Sequence, residues 1–160
     1  MNHSPFPEPV REILVRQLLY FDENRYALEA LQSLEFSVDR RDIVTFVEHY
    51  VQKIECLLAG ESCDPFDSCI WIGSAVELRF EEENLSETFV VVFPEEIDVE
   101  SNRISFLSPL GRALIFAKRN ESVSVHSPQG TYTVTVIDHA HSLNHDAARP
   151  ADITNRRDLA

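Results

Sequence analysis

The chain has 160 residues, 44% of them hydrophobic, and a formal net charge of −13 at pH 7. This length suits one domain or two small ones, and the apolar share excludes a chain too polar to bury a core. The acidic balance excludes a protein that grips bare nucleic acid through a general cationic surface, because phosphate binding needs one. The charge is uneven. Residues 77–100 carry nine acids against Arg79, whereas residues 101–138 carry Arg103, Arg112, Lys118 and Arg119 against Glu121 and Asp138. A basic protein partner or a local cationic patch fits this better than DNA alone, and a solvated acidic surface without a partner is the plain alternative. Cys56, Cys63 and Cys69 form an odd set without a CxxC pair, so free thiols are expected. No signal-peptide pattern and no apolar run of membrane-spanning length is seen, so a cytoplasmic protein with no membrane partner is expected.

Residues 1–7 read as a short irregular lead. Val10, Leu14, Gln17, Phe21, Asn24, Leu28 and Leu31 then recur at three-four spacing, with Ile13, Tyr20, Ala27 and Leu34 beside them. The spacing predicts one helix, bent if anything, over residues 9–34, with Gln17 and Asn24 as polar interruptions of its seam and a break near Asp22-Glu23-Asn24 as the alternative. Asp39 is a candidate N-cap, and Asp42, three residues on, completes an acidic first turn. Ile43, Val47, Tyr50, Ile54 and Leu57 give a second seam that stops before Gly60. Two seams joined by a short polar turn predict an antiparallel helical hairpin over residues 8–60. Val44, Phe46 and Val51 widen the second apolar face and keep open two ordinary helices folded onto a sheet. Residues 60–69 carry turn formers and no periodicity, and read as a linker.

Strand patterns follow. Ile70-Trp71-Ile72 leads into an alternating run from Ala75 to Phe80, and a second run from Glu87 to Phe93 is stopped by Pro94. An acidic loop over residues 95–102 precedes a strand from Arg103 to Leu107. Ser108 can accept from orphan helix amides as an N-cap, and Pro109 suits the first helical turn, where its missing N–H costs nothing. Leu110, Ala113, Leu114 and Ala117 continue as a short helix over 109–117. Strands at Ser122–His126 and Thr131–Ile137, joined by the turn Ser127-Pro128-Gln129-Gly130, close the set. Residues 70–138 thus predict a small α+β domain with an antiparallel sheet and one short helix. Residues 139–160 are polar and aperiodic, and a disordered tail is expected. His139, His141 and His145 cluster there without a scaffold, so no metal site is expected of them.

Ser105-x2-Ser108-Pro109-Leu110-Gly111-x-Ala113-Leu114-Ile115-x4-Asn120-Glu121 resembles the C-terminal signature of the GreA/GreB transcript-cleavage factor family. The family's usual pattern ends in Gly or Asp where this chain has Asn120. Gly73-Ser74-x-Val76-x-Leu78 resembles the family's opening strand, and Ser122–Val125 with Gly130–Ile137 resembles its closing hairpin. The likeness covers residues 70–138. It implies an antiparallel coiled-coil arm followed by an FKBP-like domain. It also implies docking on RNA polymerase beside the secondary channel, with Ser108, Pro109, Leu110, Gly111 and Arg112 as the candidate contact surface. A monomer that meets nucleic acid only through polymerase is expected, with no enzyme activity and no cofactor of its own.

In the family's cleavage factors, two acids at the arm tip help hold a second Mg²⁺ at the polymerase active centre. Asp39 and Asp42 stand at that i, i+3 spacing, and Asp22-Glu23 is a weaker pair because sequence neighbours do not share a helix face. The family's tip usually reads Asp-x-x-Glu, where this chain has Asp39-Arg40-Arg41-Asp42, so a plain capping pair is the alternative. The layout is similar to the short-armed, Rnk-type members. The expectation is therefore a modulator of elongation, with a cleavage stimulator as one alternative. The other is an FKBP-like binding or isomerase module, for which Trp71 and the scattered phenylalanines specify no pocket.

Overall fold

A computed structural model describes residues 8–30, 39–61 and 66–141. The chain divides into two units, residues 1–65 and residues 66–160.

In the first unit, α1 spans Glu8–Glu23, α2 spans Arg25–Ala30 and α3 spans Asp39–Leu58. Val10, Leu14, Gln17 and Phe21 are buried on one stripe of α1, and Tyr50, Ile54 and Leu57 on one stripe of α3. Three-four spacing puts each set on a single helix face. α1 packs on α3. The Tyr50 hydroxyl donates to Gln17 Oε1 at 2.5 Å, and the Phe21 and Tyr50 rings lie 5.6 Å apart. Gln17 is therefore a buried, hydrogen-bonded member of the seam.

The single helix expected over residues 9–34 is two helices, separated at Asn24. The Asn24 side-chain amide donates to the Tyr20 carbonyl at 2.8 Å, the same oxygen that receives the Asn24 backbone N–H at 3.0 Å. Leu28 N donates to Asn24 O at 3.0 Å, so the i→i−4 bonds run through Asn24 and its side-chain amide shares the Tyr20 carbonyl with them, the kind of back-bonding that bends helices. Residues 31–34 lie outside the described residues. α3 closes with Gly60 at φ 74, with Gly60 N donating to Leu57 O and Glu61 N to Cys56 O. That double bond across a left-handed glycine satisfies the last helix carbonyls.

In the second unit, β1 is Ser74–Phe80, β2 Leu85–Val92, β3 Arg103–Ser105, α4 Pro109–Leu114, β4 Ser122–Ser127 and β5 Gly130–His141. They form a curled five-stranded sheet in the order β3-β2-β1-β5-β4. Its buried face carries Val76, Leu78, Val125, Val134 and Val136, none with measurable exposure, and α4 packs on β4 with Leu114 fully buried.

Two expectations are corrected here. The sheet is mixed rather than antiparallel, because β3 runs parallel to β2, with Val90 opposite Arg103 and Val92 opposite Ser105. The link between them is long enough to return the chain to the same end of the sheet, with a 3-10 turn at Pro94–Glu96 and a bridge from Asp98 to Arg103. Ile70, Trp71 and Ile72, which lead into β1, are buried and enter a turn in which Trp71 N donates to Ser74 Oγ at 3.0 Å.

The expected tail begins too early. β5 runs on to His141, which pairs with Ser74. His141 Nε2 lies 2.9 Å from the Ile72 carbonyl, and its ring is 5.1 Å from that of Phe66. His139 and His141 are thus sheet residues, while His145 lies outside the described residues. Among the described residues no group of three His, Cys, Asp or Glu could hold a metal ion.

Candidate functional site

The chain leaves β3 at Ser105 and turns into α4 through a corner built from serine oxygens. Ser105 O accepts from Ser108 N at 3.1 Å and from Ser108 Oγ at 2.7 Å. Ser105 Oγ accepts from Leu107 N at 3.0 Å. Ser108, extended at φ −66 and ψ 156, is the N-cap of α4, and its Oγ accepts from Gly111 N at 3.1 Å. Pro109 follows in the first turn. The cap expected from the Ser-Pro step is therefore present, and Ser108 Oγ both donates and accepts across the corner.

Gly111 explains how tightly the corner closes. A β-carbon on it would lie 2.1 Å from the Ser105 carbonyl oxygen and 3.0 Å from Phe106 Cα. Beneath it Phe106 is fully buried, with its ring edge-on to Phe93 at 5.8 Å. Ser108, Pro109, Leu110 and Arg112 are each half-buried, whereas Gly111 is buried. Leu110 is thus a partly open apolar side chain over a rigid turn. Arg112 Nε is shielded from solvent and has no hydrogen-bond partner among the described residues. Arg103 and Arg119, by contrast, face acids, at 3.0 Å to Glu96 and 3.6 Å to Asp138.

The second half of the motif is also structural. α4 ends at Leu114, three residues before the expected end, and Phe116 turns at φ 66. Phe116 N donates to Ile70 O at 2.8 Å, and its ring stands edge-on to Trp71 at 5.1 Å. Trp71 in turn stacks on Phe66 and donates Nε1–H to the Phe66 carbonyl at 2.7 Å. Asn120 sits at φ 66, the left-handed region that Gly, Asn and Asp tolerate. Its N–H bonds Val136 O, and Glu121 Oε2 accepts from Lys118 N at 3.0 Å. Asn120 is a residue type that favours this region, whereas nothing about Phe116 as a residue type announces its positive φ.

Asp39 opens α3 and Asp42 stands in its first turn. Their side chains, and the joining residues 31–38, lie outside the described residues. Asp22 and Glu23 end α1 and are exposed.

Residues 67–140 match the family described as "Transcription elongation factor, GreA/GreB, C-term". The chain is 38% identical over 66 residues to a protein named transcription elongation factor GreA from Chloroflexus aurantiacus, covering 41% of this chain and 42% of that protein. It is 32% identical over 101 residues to the GreA of Acidiphilium cryptum, covering 61% and 64%. The chain thus spans less than two thirds of the length of these relatives. A solved structure of a transcription elongation factor GreA/GreB from Nitrosomonas europaea aligns with TM-score 0.53 and 22% identity, over 75% of this chain and 93% of that one. That likeness concerns the fold. The match to the GreA/GreB C-terminal family thus spans residues 67–140, which include the Ser105–Glu121 corner.

Proposed function

We propose that this protein is a GreA/GreB-like transcription factor that binds RNA polymerase near the secondary channel and modulates elongation. The observation that carries the reading is the Ser105–Arg112 corner. It is closed by three hydrogen bonds of serine hydroxyls and a glycine that admits no side chain, and it lies within the family match. A rigid turn with a half-open Leu110, and an arginine whose Nε lacks a partner among the described residues, suits a preorganised protein contact, because little order remains to be imposed on binding. In this reading the second unit is an FKBP-like docking domain and the helices of the first are an antiparallel arm. The protein acts as a cytoplasmic monomer, has no enzyme activity of its own, and meets nucleic acid only through polymerase. Among the described residues no helix is long and apolar enough to cross a membrane.

A second reading, cleavage stimulation, is favoured by the backbone placement of Asp39 and Asp42 in the first turn of α3. Residues three apart share a helix face, so the two carboxylates could serve one metal ion held by polymerase. A backtracked elongation complex tests both readings. The modulator reading expects altered pausing or competition with a long-armed factor. The stimulator reading expects faster transcript cleavage, lost in Asp39→Ala with Asp42→Ala. An unchanged transcript pattern at saturating protein would remove both.

A further inference from the structure

Near the Ser108 corner the buried face of the sheet lies under α4. At the far end the β1–β2 and β4–β5 turns stand together, because Phe80 pairs with both Leu85 and Val134, and Ser127 with Gly130. Between them opens a cleft of about 390 Å³ whose lining includes Phe80, Leu85, Tyr132, Glu82, Glu83 and Glu87. Phe80 stacks on Tyr132 at 6.0 Å and stands edge-on to Phe89 at 6.0 Å, so the floor is a braced aromatic platform. Leu85 is 55% exposed at its edge. Among the described residues the lining contains three carboxylates and no Lys, Arg or His.

We propose that this cleft is a second docking site, occupied by a basic segment of a protein partner. Strand alternation puts Arg79 on the opposite face from Phe80, and Arg79 faces Glu81 at 3.4 Å, so no base of β1 neutralises the cleft. The aliphatic stems of arginine or lysine lie well on aromatic faces, and their charged heads would meet the rim carboxylates. The other occupants fit poorly. Nucleic acid is repelled by the same carboxylates. A second copy brings the same net charge of −13. The chain's own residues 142–160 carry three arginines against three aspartates and so offer no net attraction. Leu85 and Val92 are the two ends of β2, so the cleft lies roughly 23 Å from the Ser108 corner at about 3.3 Å per residue. The site does not depend on the polymerase reading.

The test is a titration of the full chain with a short fluorescein-labelled peptide of alternating arginine and leucine, read by anisotropy. The expected result is micromolar binding that weakens as salt rises. Glu82→Gln with Glu83→Gln and Glu87→Gln, isosteric changes that keep the fold, should weaken it at least ~10-fold, and Tyr132→Ala should weaken it severalfold. Removing three charges elsewhere on the same unit, with Glu95→Gln, Glu96→Gln and Asp138→Asn, should leave binding within about twofold. The proposal is overturned if a glutamine-for-arginine peptide binds equally well, or if the distant triple weakens binding as much as the cleft triple. It is also overturned if a chain ending at residue 141 binds the peptide more than tenfold tighter, which would make residues 142–160 the resident occupant.

Discussion

Gly111 lies against the Ser105 carbonyl so closely that a β-carbon would stand 2.1 Å from the oxygen. The obstructing atoms are backbone, so they cannot rotate away. In an open helix, Gly→Ala stabilises by roughly 1 kcal/mol. Here Gly111→Ala is expected to destabilise instead, by about 3 kcal/mol, at the upper end of overpacking costs. Urea unfolding gives the sign directly, and a stabilised variant would show that the corner is looser than described.

The Gln17–Tyr50 bond makes a different kind of prediction. Tyr50→Phe removes the hydroxyl from a buried Gln17 Oε1 and should cost about 1–3 kcal/mol. Gln17→Leu together with Tyr50→Phe removes both polar partners and should recover most of that loss. A double-mutant cycle on the thermal midpoint measures the coupling, and strictly additive losses would contradict it.

Asn120 is where the chain departs from the family pattern, and its φ of 66 explains why the departure is tolerated. Asn120→Gly should be neutral or slightly stabilising. Asn120→Val should cost about 1–2 kcal/mol, because a β-branched side chain clashes in the left-handed region. Equal stability of the two variants would show that the turn does not need that conformation.

Glu81 gives the pH dependence. Its carboxyl is held below its ordinary range, first by the hydrogen bond donated by Thr135 Oγ1 and then by Arg79. The folded value is depressed, so the contribution to stability is present above the unfolded value and lost as pH falls through the folded one. Thr135→Val should move the Glu81 titration upward in a carboxyl NMR experiment. An unmoved titration would assign the shift to Arg79 instead.

How much of this was legible in the sequence differs by element. The seams of α1 and α3 were plain because burial on one helix face leaves a period that few other structures share. The Ser108 cap was plain because a serine followed by proline has few other uses before an apolar helix. The direction of β3 was not, because alternation along a strand is the same for either orientation of its neighbour. The last residues of β5 were not, because Asp138, His139, Ala140 and His141 look like loop, and what holds His141 is the Ile72 carbonyl and the Phe66 ring from a distant segment. The obligation at Gly111 was hidden for the same reason, since the atoms that impose it belong to β3 and the turn beyond it.

The most direct test of the docking account is the affinity of RNA polymerase for the full chain, compared with Leu110→Ala combined with Arg112→Ala. The account predicts a complex at micromolar or lower concentration. It predicts that the double variant, with its thermal midpoint little changed, binds at least ~10-fold more weakly, the loss of about 1.4 kcal/mol or more expected from a central contact pair. No complex with the unaltered chain, or equal affinity for the variant, would contradict it.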